Sequence, residues 1–139
     1  DNFDPETSHV LPGMIQKFHH AKINLLPSVT LWGTGTPCRE FLHVDDLARA
    51  CVFLMSNYDE PDIINIGSGE ELSVKELAGM VAKIVGYSGQ IVWDTSRPDG
   101  TPRKLLDVSR LYSMGWRTEI PLEEGIRGTY QWFKQNYHQ

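Results

Sequence analysis

Apolar residues recur along this chain mostly at helical spacing, interrupted by short runs rich in β-branched and aromatic side chains. Leu11, Met14, Ile15 and Phe18 predict a helix over 8–21, with Ser8 as its cap. Val29 to Trp32 predict a short strand ended by Gly33 and Gly35, and Phe41 to Val44 predict a second. Asp45 or Asp46 then caps a helix reaching about Asn57, with Leu47, Ala50, Cys51, Leu54 and Met55 as its apolar stripe. Ile63 to Ile66 predict a buried strand. Ser73-Val74-Lys75-Glu76 is a capping box, opening a helix that carries Leu77, Val81, Ile84 and Val85 on one face and stops at Gly86. Ile91 to Trp93 predict another strand, followed by a polar loop over 95–104. Asp107 caps a short helix ending near Met114 and Gly115. A last helix begins at Pro121, with Glu123 and Glu124 at its positive end and Leu122, Ile126, Tyr130, Phe133 and Tyr137 on its core face. Gly125 and Gly128 each weaken that helix by ~1 kcal/mol relative to Ala, which points to close packing there. Strands alternating with helices make the class α/β.

Bulk properties narrow the reading. A length of 139 residues suits one domain with a real core. A formal net charge of −5 argues against a general nucleic-acid or membrane surface, so an anionic ligand needs a local cluster of cations. Cys38 and Cys51 form no C-x-x-C pair and predict free thiols in a reducing, cytoplasmic compartment. No apolar run approaches the length of a membrane span. The opening Asp1-Asn2-Phe3-Asp4-Pro5 has no Met and no signal-like pattern, so a piece of a longer protein is expected.

Several motifs suggest chemistry. Arg39 directly follows a glycine-rich turn, where a guanidinium fork can make two charge-assisted hydrogen bonds to a phosphate or carboxylate. Arg97-Pro98-Asp99-Gly100-Thr101-Pro102-Arg103-Lys104 has two readings. One is a solvated loop with an Asx turn at Asp99; the other is a lid over an anion, with Lys as point charge and Asp as acceptor. His9 also has two: an ordinary exposed residue at a helix start, or a neutral imidazole able to exchange protons. Gly33-Thr34-Gly35 and Gly67-Ser68-Gly69 do not complete G-x-G-x-x-G and read as turns. Tyr130 and Lys134 match Tyr-x-x-x-Lys, yet Tyr130 lies in an apolar stripe and reads as core. His43-Val44-Asp45 reads as scaffold rather than a metal site, and His19-His20 as surface.

The segments Asp1-Asn2-Phe3, Ser8-His9-Val10-Leu11-Pro12, Trp32 through Asp46 and Arg97 through Asp107, in that order, resemble the C-terminal part of bacterial GDP-L-fucose synthases. Those enzymes are extended short-chain dehydrogenases/reductases of the nucleotide-sugar epimerase and dehydratase kind. The resemblance covers essentially the whole chain. It implies a substrate-binding C-terminal domain over residues 1–139, without the N-terminal Rossmann domain that holds NADPH, the catalytic Ser and Cys, and the Tyr-x-x-x-Lys pair. It implies a full-length homodimer that epimerises GDP-4-keto-6-deoxy-D-mannose at C3 and C5 and reduces C4 with NADPH. By position, His9 matches an epimerisation acid beside the nicotinamide, and Lys17 a substrate-binding cation. Trp32 and Arg39 match substrate contacts, with Arg39 on the diphosphate. Asp99 matches a substrate-binding position, and Lys104 a cation near the nucleotide phosphates. This chain alone is then expected to lack turnover. Another nucleotide-sugar epimerase or dehydratase, and a binding module without catalysis, are the alternative readings.

Overall fold

The computed structural model describes residues 2–4 and 7–137. Its elements are α1 (Val10–Ile23), β1 (Ser28–Trp32), β2 (Cys38–Glu40), α2 (Val44–Asn57), β3 (Glu71–Ser73), α3 (Val74–Val85), β4 (Gln90–Asp94), β5 (Arg103–Lys104), α4 (Ser109–Ser113) and α5 (Leu122–Asn136). The α/β class follows directly. β1 and β4 form a parallel pair, with Ser28 opposite Gln90 and Trp32 opposite Asp94. Parallel neighbours need a crossover, and the whole stretch from β2 to α3 supplies it. A second, three-stranded sheet has the order β3-β2-β5, antiparallel then parallel.

The main core lies where α1, α3 and α5 pack with the β1–β4 pair. Ile15, Phe18, Leu77, Val81 and Ile126 are almost wholly buried there. A smaller cluster joins Ala50 of α2 to Leu111 and Trp116. The expected stripe of α5 is present, with Ile126, Tyr130 and Phe133 buried and Leu122 and Tyr137 packed against them. Gly125 sits in close packing, since a Cβ there would lie 3.0 Å from His43 Cδ2. Gly128 has open space around it, so the packing expected at that position is not found. The Ser73–Glu76 capping box forms as expected, and Gly86 ends α3 in the left-handed conformation at φ 77°.

Five expectations shift. The first helix starts at Val10, not at 8, and its N-cap is His9, which makes no side-chain capping bond. Pro12 sits at the third helical position and has no N–H for a cap to receive, while the Ser8 N–H goes to Asp4 O. The strand expected at 41–44 lies instead at Cys38–Glu40, because those residues find partners on both sides. Residues 63–66 pair with no strand among the described residues; Ile64 and Ile66 pack on the small cluster while Ile63 is exposed. His43, not Asp45 or Asp46, caps α2, accepting from the Asp45 N–H at 3.2 Å. Val108 caps α4, one residue beyond Asp107, which instead accepts the Ser109 N–H.

The stripe expected on α2 is also incomplete. Ala50 is buried and Leu54 partly so, whereas Leu47, Cys51 and Met55 are exposed. Asp46 is fully buried: its carboxylate accepts the Glu119 and Ile120 N–H groups at 3.0–3.2 Å and pairs with Arg49. No described helix is long and apolar enough to cross a membrane.

Candidate functional site

α1 and β1 together build one side of a cleft. His9 precedes α1 and Lys17 lies about two turns along it, so both fall on one face. Trp32 ends β1 and remains 63% exposed, unusual for so large a ring. The cleft, about 220 Å³, is lined by His9, Val10, Met14, Lys17, Trp32 and Trp93. Lys17 Nζ lies 5.5 Å from the Trp32 ring centre and the Arg97 guanidinium carbon 5.1 Å from it, both within cation–π range. A larger groove of about 600 Å³ runs beside Phe41, Leu72 and Leu122. None of His9, Lys17, Trp32, Arg39, Asp99 and Lys104 lines it, and its walls are mainly apolar, so the cationic cleft is the better anion site.

The candidate anion clamp lies on the second sheet. Arg39 on β2 and Lys104 on β5 are partners in register, so their side chains leave the same face. Arg39 is half-buried, and its Nη1 donates to the Cys38 carbonyl at 2.7 Å. Lys104 is exposed. The third cation of the loop, Arg103, is committed elsewhere: its Nε reaches both Glu71 carboxylate oxygens at 2.9 Å.

The polar loop lies against this cleft and clamp. Asp99 accepts the Thr34 N–H at 2.8 Å and the Thr34 hydroxyl at 2.7 Å. The hydroxyl bond and then the backbone bond hold the Asp99 carboxyl below its ordinary range. Gly100 lies beside Arg39, where a Cβ would be 3.1 Å from Nη2. The structure thus brings His9, Lys17 and Trp32 into one cleft, pairs Arg39 with Lys104 across two strands, and joins the groups through the loop at 97–100.

Three participants were not singled out in the sequence. Arg97 was one cation among three, and its stacking on Trp32 is tertiary. Thr34 looked like turn filling. Glu40 braces the clamp, accepting from Gly69 N–H at 2.7 Å and Leu106 N–H at 3.0 Å. An acid directly following Arg39 was the one available signal for it.

The tempting motifs take structural places. Lys134 lies 5.1 Å from the ring of Tyr130, but burial pushes the Tyr130 phenol up, the reverse of what proton transfer needs. The Tyr130 hydroxyl sits 3.0 Å from His19 Nδ1. His20 is exposed as expected, whereas His19 is half-buried, and its pKa is lowered first by burial and then by Lys22, Lys134 and His20. Among the described residues no group of three His, Cys, Asp or Glu side chains is placed to hold a metal ion. The turn at Gly33–Gly35 is filled by the Asp99 carboxylate, where a dinucleotide phosphate would meet a fixed anion. That turn is therefore not shaped as a pyrophosphate site.

Residues 1–67 match the model of the NAD dependent epimerase/dehydratase family. The chain is 54% identical over 136 residues to the probable GDP-L-fucose synthase 1 of Oryza sativa subsp. japonica, covering 98% of this chain and 42% of the relative. It is 50% identical over 145 residues to the GDP-L-fucose synthase of Escherichia coli (strain K12), covering 98% and 45%. The structure of a GDP-L-fucose synthetase from Naegleria fowleri bound to NADP superposes with a TM-score of 0.91 at 33% identity, covering 99% of this chain and 43% of that one. The chain is therefore homologous to the C-terminal part of GDP-L-fucose synthases, enzymes with the extended short-chain dehydrogenase/reductase fold, and its first half matches the epimerase/dehydratase family model. It spans less than half the length of the curated relatives named here.

Proposed function

We propose that residues 1–139 are the substrate-binding domain of an NADPH-dependent epimerase-reductase that converts GDP-4-keto-6-deoxy-D-mannose to GDP-L-fucose. The observation that carries this reading is the cleft that gathers His9, Lys17 and Trp32, with Arg39 and Lys104 as register partners next to it. Arg39 and Lys104 hold the diphosphate, the first by its planar fork and the second as a point charge. Lys17 and Trp32 contact the substrate within the cleft, and the loop carrying Asp99 closes beside it.

The sugar's C4 ketone acidifies the hydrogens at C3 and C5. Loss of either proton to a base gives an enolate. His9 then returns a proton to the opposite face of that carbon, which inverts it. NADPH, when bound, supplies the hydride that reduces C4; its phosphates are held outside the described residues. The full-length protein is a cytoplasmic homodimer in this reading, consistent with two free cysteines. Its remaining part covers the exposed apolar face of α2.

His9→Gln in the full-length protein tests this. Formation of the C3- and C5-inverted product should slow by about 100-fold or more, the usual contribution of a positioned acid. Unchanged epimerisation would remove His9's acid role. The 139-residue chain by itself should not oxidise NADPH with the keto sugar; turnover above a blank would overturn its reading as a binding domain only.

A further inference from the structure

We infer that Asp99 is a positioning residue, clasped to Thr34 so that the loop between β4 and β5 is set over the clamp; this rests on the GDP-sugar reading above. Both carboxylate oxygens are engaged, Oδ1 by the Thr34 N–H and Oδ2 by the Thr34 hydroxyl. The Thr34 hydroxyl also lies 2.7 Å from Thr36 Oγ1 and accepts the Thr36 N–H at 3.2 Å, which fixes its rotamer. The clasp needs glycine at 33, where φ is +79° and a Cβ would collide with Asp99 Oδ1.

The loop's ends are tied separately. Gly33 N–H and Arg97 N–H donate to Asp94 O at its start, at 2.9 and 3.2 Å, and Cys38 N–H donates to Pro102 O at its end, at 2.9 Å. The clasp fixes the middle. On either side of Asp99 the loop places its two useful contacts: Arg97 on the face of Trp32, and Gly100 against the Arg39 guanidinium. There is an electrostatic reason as well. A free carboxylate beside Arg39 would pair with that guanidinium and repel a diphosphate. Tied to Thr34, Asp99 does neither. Asp99 thus acts on the ligand through the loop, and Thr34 shares its role.

The two roles for Asp99 separate in a double-mutant cycle in the full-length protein, with GDP affinity read by calorimetry. Asp99→Ala and Thr34→Val should each weaken GDP about tenfold, as expected for loss of hydrogen bonds to a charged group. The double variant should be no weaker than the worse single one, because both remove the same clasp. Thr34→Ser keeps the hydroxyl and should restore affinity. Wild-type affinity in Thr34→Val, or effects that multiply in the double variant, would mean that Asp99 touches the ligand itself and would overturn the inference. Arg39→Met separates the two levels. If it weakens GDP while the clasp variants do not, the clasp alone fails. If Arg39→Met binds GDP as the wild type does, the GDP reading and the clasp fall together.

Discussion

α2 and α3 start from similar patterns and end in opposite situations. Both carry apolar residues at helical spacing and both begin with a side-chain cap. α3 buries Leu77, Ala78, Val81, Ala82 and Val85 against α1 and α5. α2 buries Ala50 and one charged residue, Asp46, while Val44, Val52 and Met55 are 66%, 66% and 86% exposed. Periodicity states that a helix has an apolar face. It does not state whether the same chain supplies the cover. For α3 the cover is two helices of this chain. For α2 the chain offers a small cluster around Leu111 and Trp116, and the helix is held instead by the hydrogen bonds Asp46 accepts from Glu119 and Ile120 in the loop before α5.

Substitutions on the two helices can break this comparison. Leu77→Ala should have the largest effect, about 2–5 kcal/mol in urea unfolding, since it removes a wholly buried side chain and leaves a cavity. A loss well under 1 kcal/mol would mean that the α1–α3–α5 core is loosely packed. Asp46→Ala should follow, at about 1–3 kcal/mol, because the Glu119 and Ile120 N–H groups lose their acceptor. Met55→Lys should be smallest in the 139-residue chain, within about 0.5 kcal/mol, as for other exposed positions. The same change in the full-length protein should cost distinctly more if the rest of the protein covers α2. Equal, small losses in both would leave that face uncovered and remove this part of the proposed function.

The same division runs through the site. Arg39 was legible because a fixed cation after a glycine turn has few structural uses, and Lys104 entered through the resemblance. What sets them side by side is strand register. β5 is two residues long and sits at the end of a loop with no strand-like pattern, so its pairing with β2 had no signature in local sequence. Asp99 shows the converse. As a residue it suited a ligand acceptor or an Asx turn equally well, and the partner that engages it, Thr34, lies 65 positions away. Tyr130 and Lys134 matched a catalytic spacing, but Tyr130 is buried in the core while Lys134 is exposed.

By itself the sequence determined what local energetics decide: the capped start of α3, its glycine stop, the apolar stripe of α5, the β1 and β4 strands and the cation after the turn. These depend on residues within one or two helical turns, where spacing and side-chain type suffice. Tertiary structure decided the rest: the true strand at Cys38–Glu40, the burial of Asp46, the exposure of α2, and the alignment of Arg39, Lys104, Trp32 and Arg97. Each of those depends on a partner distant in sequence, and a long-range hydrogen bond or packed face leaves no periodic trace in the chain that makes it.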